Sequence, residues 1–286
     1  MAETVEIFET GPRDGLQNEA RLIPAAEKIA LVDKLSDAGF RRIEVTSFVS
    51  PRWVPQMADA AQVMAGIRRA PGARYAVLVP NMTGYEAAKA ARADAVAVFT
   101  SASEGFARAN LNATIAESLD RFAPVMRAAK ADGIPVRGYV SMVTDCPFDG
   151  PVPPGDVARV AGRLLAMGCD EISLGDTTGQ GRPESIDAML AAVLEEVPAD
   201  RLAGHYHDTA GRALDNIDAS LARGLRVFDA AVGGLGGCPY APGAAGNVAT
   251  EKVAEHLVSR GYAVNLDMER VAGAARFARG LRGDRA

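Results

Sequence analysis

The chain is poor in features that staple, anchor or attract polyanions. Its 286 residues include three cysteines, Cys146, Cys169 and Cys238. Three thiols cannot all pair within one chain, so no disulfide framework carries the fold, and a reducing compartment is expected. A chain of this length buries roughly three quarters of its surface and needs no staple. Long apolar runs are missing too. The longest, at 75–80 and 95–99, are strand-sized and far short of the ~20 residues that a membrane span requires. There is no Lys/Arg block, and the net charge of −5 argues against nucleic acid as a partner. The N-terminus, MAETVEIFETGPRDG, has acids where a secretory signal would have a basic region and an apolar run. These absences predict a soluble, cytoplasmic protein that works without nucleic acid or membrane.

What is present is an alternation. Short β-branched runs fall at 5–9, 42–48, 74–79, 95–100, 136–143, 170–174, 202–207 and 227–232. Between them lie Ala/Leu/Arg-rich stretches of helical spacing at 24–38, 57–69, 84–92, 114–131, 155–167, 184–197, 211–223 and 247–260. Gly39, Gly133, Gly168, Gly224 and Gly261 stand where helices should stop, and Pro24 and Pro183 near helix starts. Strands alternating with helices imply a parallel sheet of the α/β class. Eight such units most simply close into a (β/α)8 TIM barrel, a single domain over residues 1–286. An open doubly wound sheet is the competing architecture, and periodicity alone does not separate the two.

Polar residues collect at the strand ends that carry binding loops in such barrels. Arg13 and Asp14 follow the first strand, Thr46 and Ser47 the second, and Asp176 the sixth. His205 and His207 end the seventh, and a Gly-rich loop at 233–246 follows the eighth. The chain has only three histidines, so the His205-Tyr206-His207 run is the strongest single signal. Residues i and i+2 of a strand share a face, which puts both imidazoles together and Tyr206 opposite. Such a pair is either a hydrogen-bonded interior couple or two nitrogen ligands; the third, His256, reads as a surface residue.

Asp14 can complete a ligand set or serve as a loop residue. Asn247, at the start of the expected final helix, can be a ligand or an N-cap. In a closed barrel strand eight neighbours strand one, so Asp14, His205, His207 and Asn247 converge on one divalent cation. Mixed nitrogen and oxygen donors without thiolate favour Mg²⁺ or Mn²⁺, with Zn²⁺ or Co²⁺ as alternatives. With Arg13 alongside, such a site suits an anionic, oxygen-rich substrate. Cys238 sits among glycines, either as buried packing or as the thiol of a mobile lid. The loop lacks the lysine and glycine order of the known phosphate cradles.

The segments GPRDGLQNE (11–19), EVTSFVSPRWVPQMAD (44–59), RGYVS (137–141), EISLGDTTG (171–179), HYHDTAGRALDNI (205–217) and GGLGGCPYAPGAAGNVATE (233–251) closely resemble the 3-hydroxy-3-methylglutaryl-CoA lyases of the DRE-TIM metallolyase superfamily. The resemblance runs from the first strand to the eighth helix. It implies cleavage of an acyl-CoA substrate, 3-hydroxy-3-methylglutaryl-CoA, into acetyl-CoA and acetoacetate, within leucine degradation and ketone-body formation. It also implies Mg²⁺ or Mn²⁺ on Asp14, His205, His207 and Asn247. Arg13 then stabilises developing oxyanion charge, Cys238 belongs to the catalytic lid, and Glu44, Tyr139 and Asp176 occupy further active-site positions. Glu44 acts either directly or by orienting Arg13, and Tyr139 is equally readable as a core aromatic. His205 or Asp14 serves as base, and Cys238 or His205 returns the proton. A homodimer is the family expectation. Position 142 is Met, where animal members have cysteine, and organelle-targeting ends and the C-terminal intersubunit cysteine are not apparent.

Rival readings are a lyase for citramalyl-CoA or a longer branched glutaryl-CoA, an isopropylmalate- or homocitrate-synthase type transferase, and a non-enzymatic metal-binding barrel.

Overall fold

A computed structural model describes residues 2–236 and 246–282. Eight parallel strands, β1 (Glu6–Glu9), β2 (Arg42–Ser47), β3 (Arg74–Leu78), β4 (Ala95–Ser101), β5 (Val136–Ser141), β6 (Glu171–Asp176), β7 (Leu202–Tyr206) and β8 (Val227–Ala230), close in sequence order, with β8 pairing β1. The closed TIM barrel stands and the open sheet falls. The strands are buried almost throughout, β7 at every position. That explains the β-branched and apolar residues of their runs, since a parallel sheet is covered on both faces.

The helices are α1 (Ala25–Asp37), α2 (Ala60–Gly66), α3 (Met82–Ala90), α4 (Glu104–Leu111), α5 (Ile115–Asp132), α6 (Pro154–Met167), α7 (Pro183–Val193), α8 (Ala213–Ala222), α9 (Thr250–Ser259) and α10 (Met268–Leu281). All five glycines expected at helix ends have positive φ, from +68° at Gly133 to +106° at Gly168, where a Cβ would be strained. Pro24 is the N-cap of α1 and Pro183 the first residue of α7.

Three features were not expected. α4 and α10 are additional helices, capped by the side chains of Ser103 and Asp267. A π-helical turn, Gly11–Gly15, follows β1 and carries Arg13 and Asp14. The expected final helix also begins later. α9 starts at Thr250 with Ala249 as N-cap, so Asn247 caps nothing. Its backbone instead bridges antiparallel to His207, while Ala249 bridges Ala231.

Most apolar packing lies between the barrel and its helices. The barrel's own interior is charged. At its lower end Arg42 reaches Glu6 (2.9 Å) and Glu171 (3.0 Å). Above, Arg137 stacks over Phe8 with its guanidinium carbon 4.1 Å from the ring centre, a cation–π arrangement. Higher still lie Glu44, Tyr139 and Arg13. The pairing of β2 with β3 slips between Glu44 and Thr46, a bulge that bends the strand where it nears the site.

Candidate metal and active site

A cavity of about 1120 Å³ opens at the C-terminal end of the barrel, and Arg13, Asp14, Tyr139, His205, His207 and Asn247 line it. The π-turn after β1 delivers the first two. Backbone N–H groups of Arg13, Asp14 and Gly15 all point to the Thr10 carbonyl. Gly15 passes so near Leu235 that a Cβ on it would lie 2.6 Å from Leu235 Cβ.

β7 delivers the histidines as the two-residue period requires. Tyr206 faces outward, its hydroxyl 2.7 Å from Ser220 Oγ, and His205 and His207 turn inward with their Nε2 atoms 3.4 Å apart. His205 Nε2 lies 3.9 Å from Asp14 Oδ2. One donor atom from each of Asp14, His205 and His207 lies within 4.8 Å of the others, a span that ligands roughly 2–2.3 Å from a shared ion permit.

The donor chemistry fits a divalent cation. Asp14 is held down at about 2: burial opposes this, but Arg13 and both imidazoles favour the carboxylate. His207 is pushed down to about 4 by burial and by His205, so it is neutral at pH 7. His205 is raised, because hydrogen bonding and charge from Asp229 outweigh its burial. Two imidazole nitrogens and a carboxylate oxygen converging in a buried space are stabilised by a cation.

Asn247 joins this group differently from expectation. Its Nδ2 donates to Asp14 Oδ2 at 2.8 Å and to the Leu235 carbonyl at 3.3 Å. A half-turn of the amide exchanges nitrogen and oxygen, so the position can hold Asp14 or offer an oxygen ligand.

Arg13 is buried and committed. Its Nε donates to Glu44 Oε2 at 2.7 Å and its Nη1 to Asp14 Oδ1 at 2.6 Å. Tyr139 donates to the same Glu44 oxygen at 3.1 Å and accepts from Arg137 Nη1 at 3.0 Å. Glu44 thus lies under the cavity as an anchor for Arg13, and burial raises its carboxyl against the pull of Arg13.

Asp176 is not brought into the cluster. Its side chain accepts from Gly181 N–H (2.9 Å) and Thr144 Oγ1 (3.1 Å), organising the loop after β6. Cys238 lies outside the described residues. His256, expected at the surface, is half-buried and 2.8 Å from Asp218.

Sequence reading missed Asp229 and Arg137. Arg137 Nη2 and Nη1 donate to Asp229 Oδ1 (2.7 Å) and Oδ2 (2.9 Å), and His205 Nδ1 is 3.0 Å from Asp229 Oδ2. Their signal was available: both are charges inside strands where buried parallel sheets carry apolar residues.

The HMGL-like family model matches residues 4–277. A Pseudomonas aeruginosa protein named 3-hydroxy-3-isohexenylglutaryl-CoA/hydroxymethylglutaryl-CoA lyase is 56% identical over 253 residues, 88% of this chain and 84% of its own. The structure of the HMG-CoA lyase from Brucella melitensis superposes with a TM-score of 0.98 at 62% identity, covering 99% of this chain and 100% of that one. An HMG-CoA lyase from Acinetobacter baumannii, in complex with coenzyme A and 3-methylmalate, gives 0.93 at 35% identity over 98% and 92% of the two chains. With its barrel closed, its Asp–His–His cluster formed and relatives this near over almost their full length, the chain belongs to the HMGL-like family.

Proposed function

We propose that the protein is a divalent-metal-dependent carbon–carbon lyase that cleaves 3-hydroxy-3-methylglutaryl-CoA to acetyl-CoA and acetoacetate. The observation that carries this reading is the convergence of Asp14, His205 and His207 beside Arg13 in a cavity of about 1120 Å³. Asp14, His205 and His207, with Asn247 at their edge, would hold Mg²⁺ or Mn²⁺ (Zn²⁺ or Co²⁺ as alternatives), which supplies Lewis-acid polarisation of the substrate's oxygens.

The bond to be broken joins the thioester α-carbon to the tertiary carbinol carbon. A base at the cluster, the Asp14 carboxylate or, when its Nε2 is off the ion, His205, accepts the hydroxyl proton. The O–H pair becomes the ketone of acetoacetate, and the carbon–carbon pair becomes the thioester enolate. Arg13 meets the negative charge that develops. Among the described residues, three of its N–H groups are engaged by Glu44 and Asp14, leaving two of the five that a guanidinium offers. A proton from His205 or Cys238 then converts the enolate to acetyl-CoA. We further propose a cytoplasmic homodimer serving leucine degradation and ketone-body formation, one catalytic domain spanning the chain.

A second reading is favoured by the Pseudomonas relative's name and by the apolar wall of Leu78, Pro80 and Phe99 in the cavity: longer branches at the carbinol carbon are accepted too. One experiment addresses both. Protein stripped with EDTA and incubated with 3-hydroxy-3-methylglutaryl-CoA should release no acetoacetate, and Mg²⁺ or Mn²⁺ should restore it. The isohexenyl homologue run in parallel should be cleaved if the apolar wall takes a longer chain. Full turnover in EDTA, or none with metal restored, would overturn the principal reading.

A further inference from the structure

We infer that Asp229 is a positioning residue: it fixes His205 in the ring form whose Nδ1 carries the hydrogen, so that a bare Nε2 faces Asp14 and His207. This rests on the reading that Asp14, His205 and His207 hold a divalent ion.

Asp229 stands beside His205 in the β8–β7 register and is 2% exposed. Each of its contacts places it as an acceptor. Oδ1 takes Arg137 Nη2 at 2.7 Å, and Oδ2 takes Arg137 Nη1 at 2.9 Å and Ser173 Oγ at 2.9 Å. The remaining neighbour of Oδ2 is His205 Nδ1 at 3.0 Å. A carboxylate pinned by a two-pronged guanidinium and a hydroxyl has no hydrogen to give, so Nδ1 must be the donor. A neutral imidazole that donates through Nδ1 has its lone pair at Nε2, the atom 3.4 Å from His207 Nε2. Carboxylates placed this way behind ligating histidines set ring orientation and raise ligand basicity.

The same arginine reaches the other half of the site. Arg137 Nη1 donates to Tyr139, Tyr139 to Glu44, and Glu44 accepts from Arg13, which bonds Asp14. Asp14, Arg13, Glu44, Tyr139, Arg137, Asp229 and His205 therefore form a ring of polar contacts that returns to the donor cluster. Below it Arg137 Nε is tied to Glu171 at 2.6 Å and Arg42 shares that carboxylate, so the ring stands on the lower barrel.

The full-length protein, labelled with ¹⁵N-histidine, is read by long-range ¹H–¹⁵N correlation with and without Zn²⁺, and Mn²⁺ affinity is measured by electron paramagnetic resonance. Three histidines give three separable ring patterns. The wild type should show His205 with hydrogen on Nδ1 and, with Zn²⁺, a metal shift on Nε2. Asp229→Asn keeps the shape but offers an N–H to Nδ1. It should move hydrogen to Nε2 and weaken Mn²⁺ binding by roughly 10–100-fold, a tautomer change that a merely structural role would not produce. Ser173→Ala removes one hydrogen bond to Asp229, so a twofold to fivefold weakening should follow even if the first variant does not fold. Wild-type His205 with hydrogen on Nε2 and none on Nδ1, or unchanged Mn²⁺ affinity in folded Asp229→Asn, would overturn the inference. A wild type that binds neither ion would instead remove the ion reading on which it stands.

Discussion

Arg13 shows how little freedom a buried cation has in this barrel. Glu44 and Asp14 keep it protonated and well above its ordinary range despite burial, and they also aim it. Single donors aimed at a developing oxyanion are worth roughly 3–4 kcal/mol. Arg13→Gln is therefore expected to lower kcat by about 10²–10³-fold, while Mn²⁺ affinity stays within a few-fold of wild type, because His205 and Asn247 still favour the Asp14 carboxylate. Steady-state kinetics beside a Mn²⁺ titration checks this, and parallel loss of metal binding would make Arg13 part of the metal mount. At this scale the sequence was legible where residue types are rare or adjacent. Arg13, Asp14, His205 and His207 stand in short runs, whereas Asp229 and Arg137 are isolated charges whose partners lie 24 and 92 residues away, a relation no local pattern contains.

The elements that hold the site are short and irregular. The π-turn Gly11–Gly15 fits against Val232 and Leu235 with no room for added carbon: a Cβ on Gly11 would lie 2.5 Å from Glu9 Oε1. Gly15→Ala forces a methyl group against Leu235 Cβ and is expected to cost about 1–3 kcal/mol, as overpacking generally does. Urea unfolding should show that loss, and Mn²⁺ binding should weaken with it because Asp14 precedes the glycine. Strands and major helices were readable from β-branched runs, helical spacing and glycine and proline punctuation, and the expected bounds lie within a few residues of the observed ones. The π-turn was not readable, since five residues carry no period. α10 had its own signal in the Asp267 cap and in Val271, Ala274, Ala275 and Ala278, but a template of eight strand–helix units left no place for it.

Across the whole molecule, Glu9 joins segments as much as 241 positions apart. Its Oε1 accepts from Gly11 N–H (2.8 Å) and Val232 N–H (2.9 Å), and its Oε2 from Thr250 Oγ1 (2.6 Å). Burial pushes its carboxyl up to about 7, against the pull of those donors. Below the unfolded value of 4.5 the group is protonated in both states and contributes no penalty. As pH rises from there to about 7, the unfolded chain gives up its proton first, so folding stability falls, and above that the deficit is complete. Glu9→Gln keeps an acceptor for both amides and a donor for Thr250 Oγ1 but cannot ionise. The difference in unfolding free energy between wild type and Glu9→Gln should therefore shift against the wild type between pH 5 and pH 8, by an amount on the order of 3 kcal/mol. A flat difference would show that the three donors keep Glu9 ionised throughout.

Asp14 and Asn247 are bonded across 233 positions of sequence. A ribosome that has made the first must add 233 more residues to reach the second. If these residues hold the proposed ion, a nascent polypeptide has no complete grip on it until that stretch is made, and metal capture follows the pairing of distant segments.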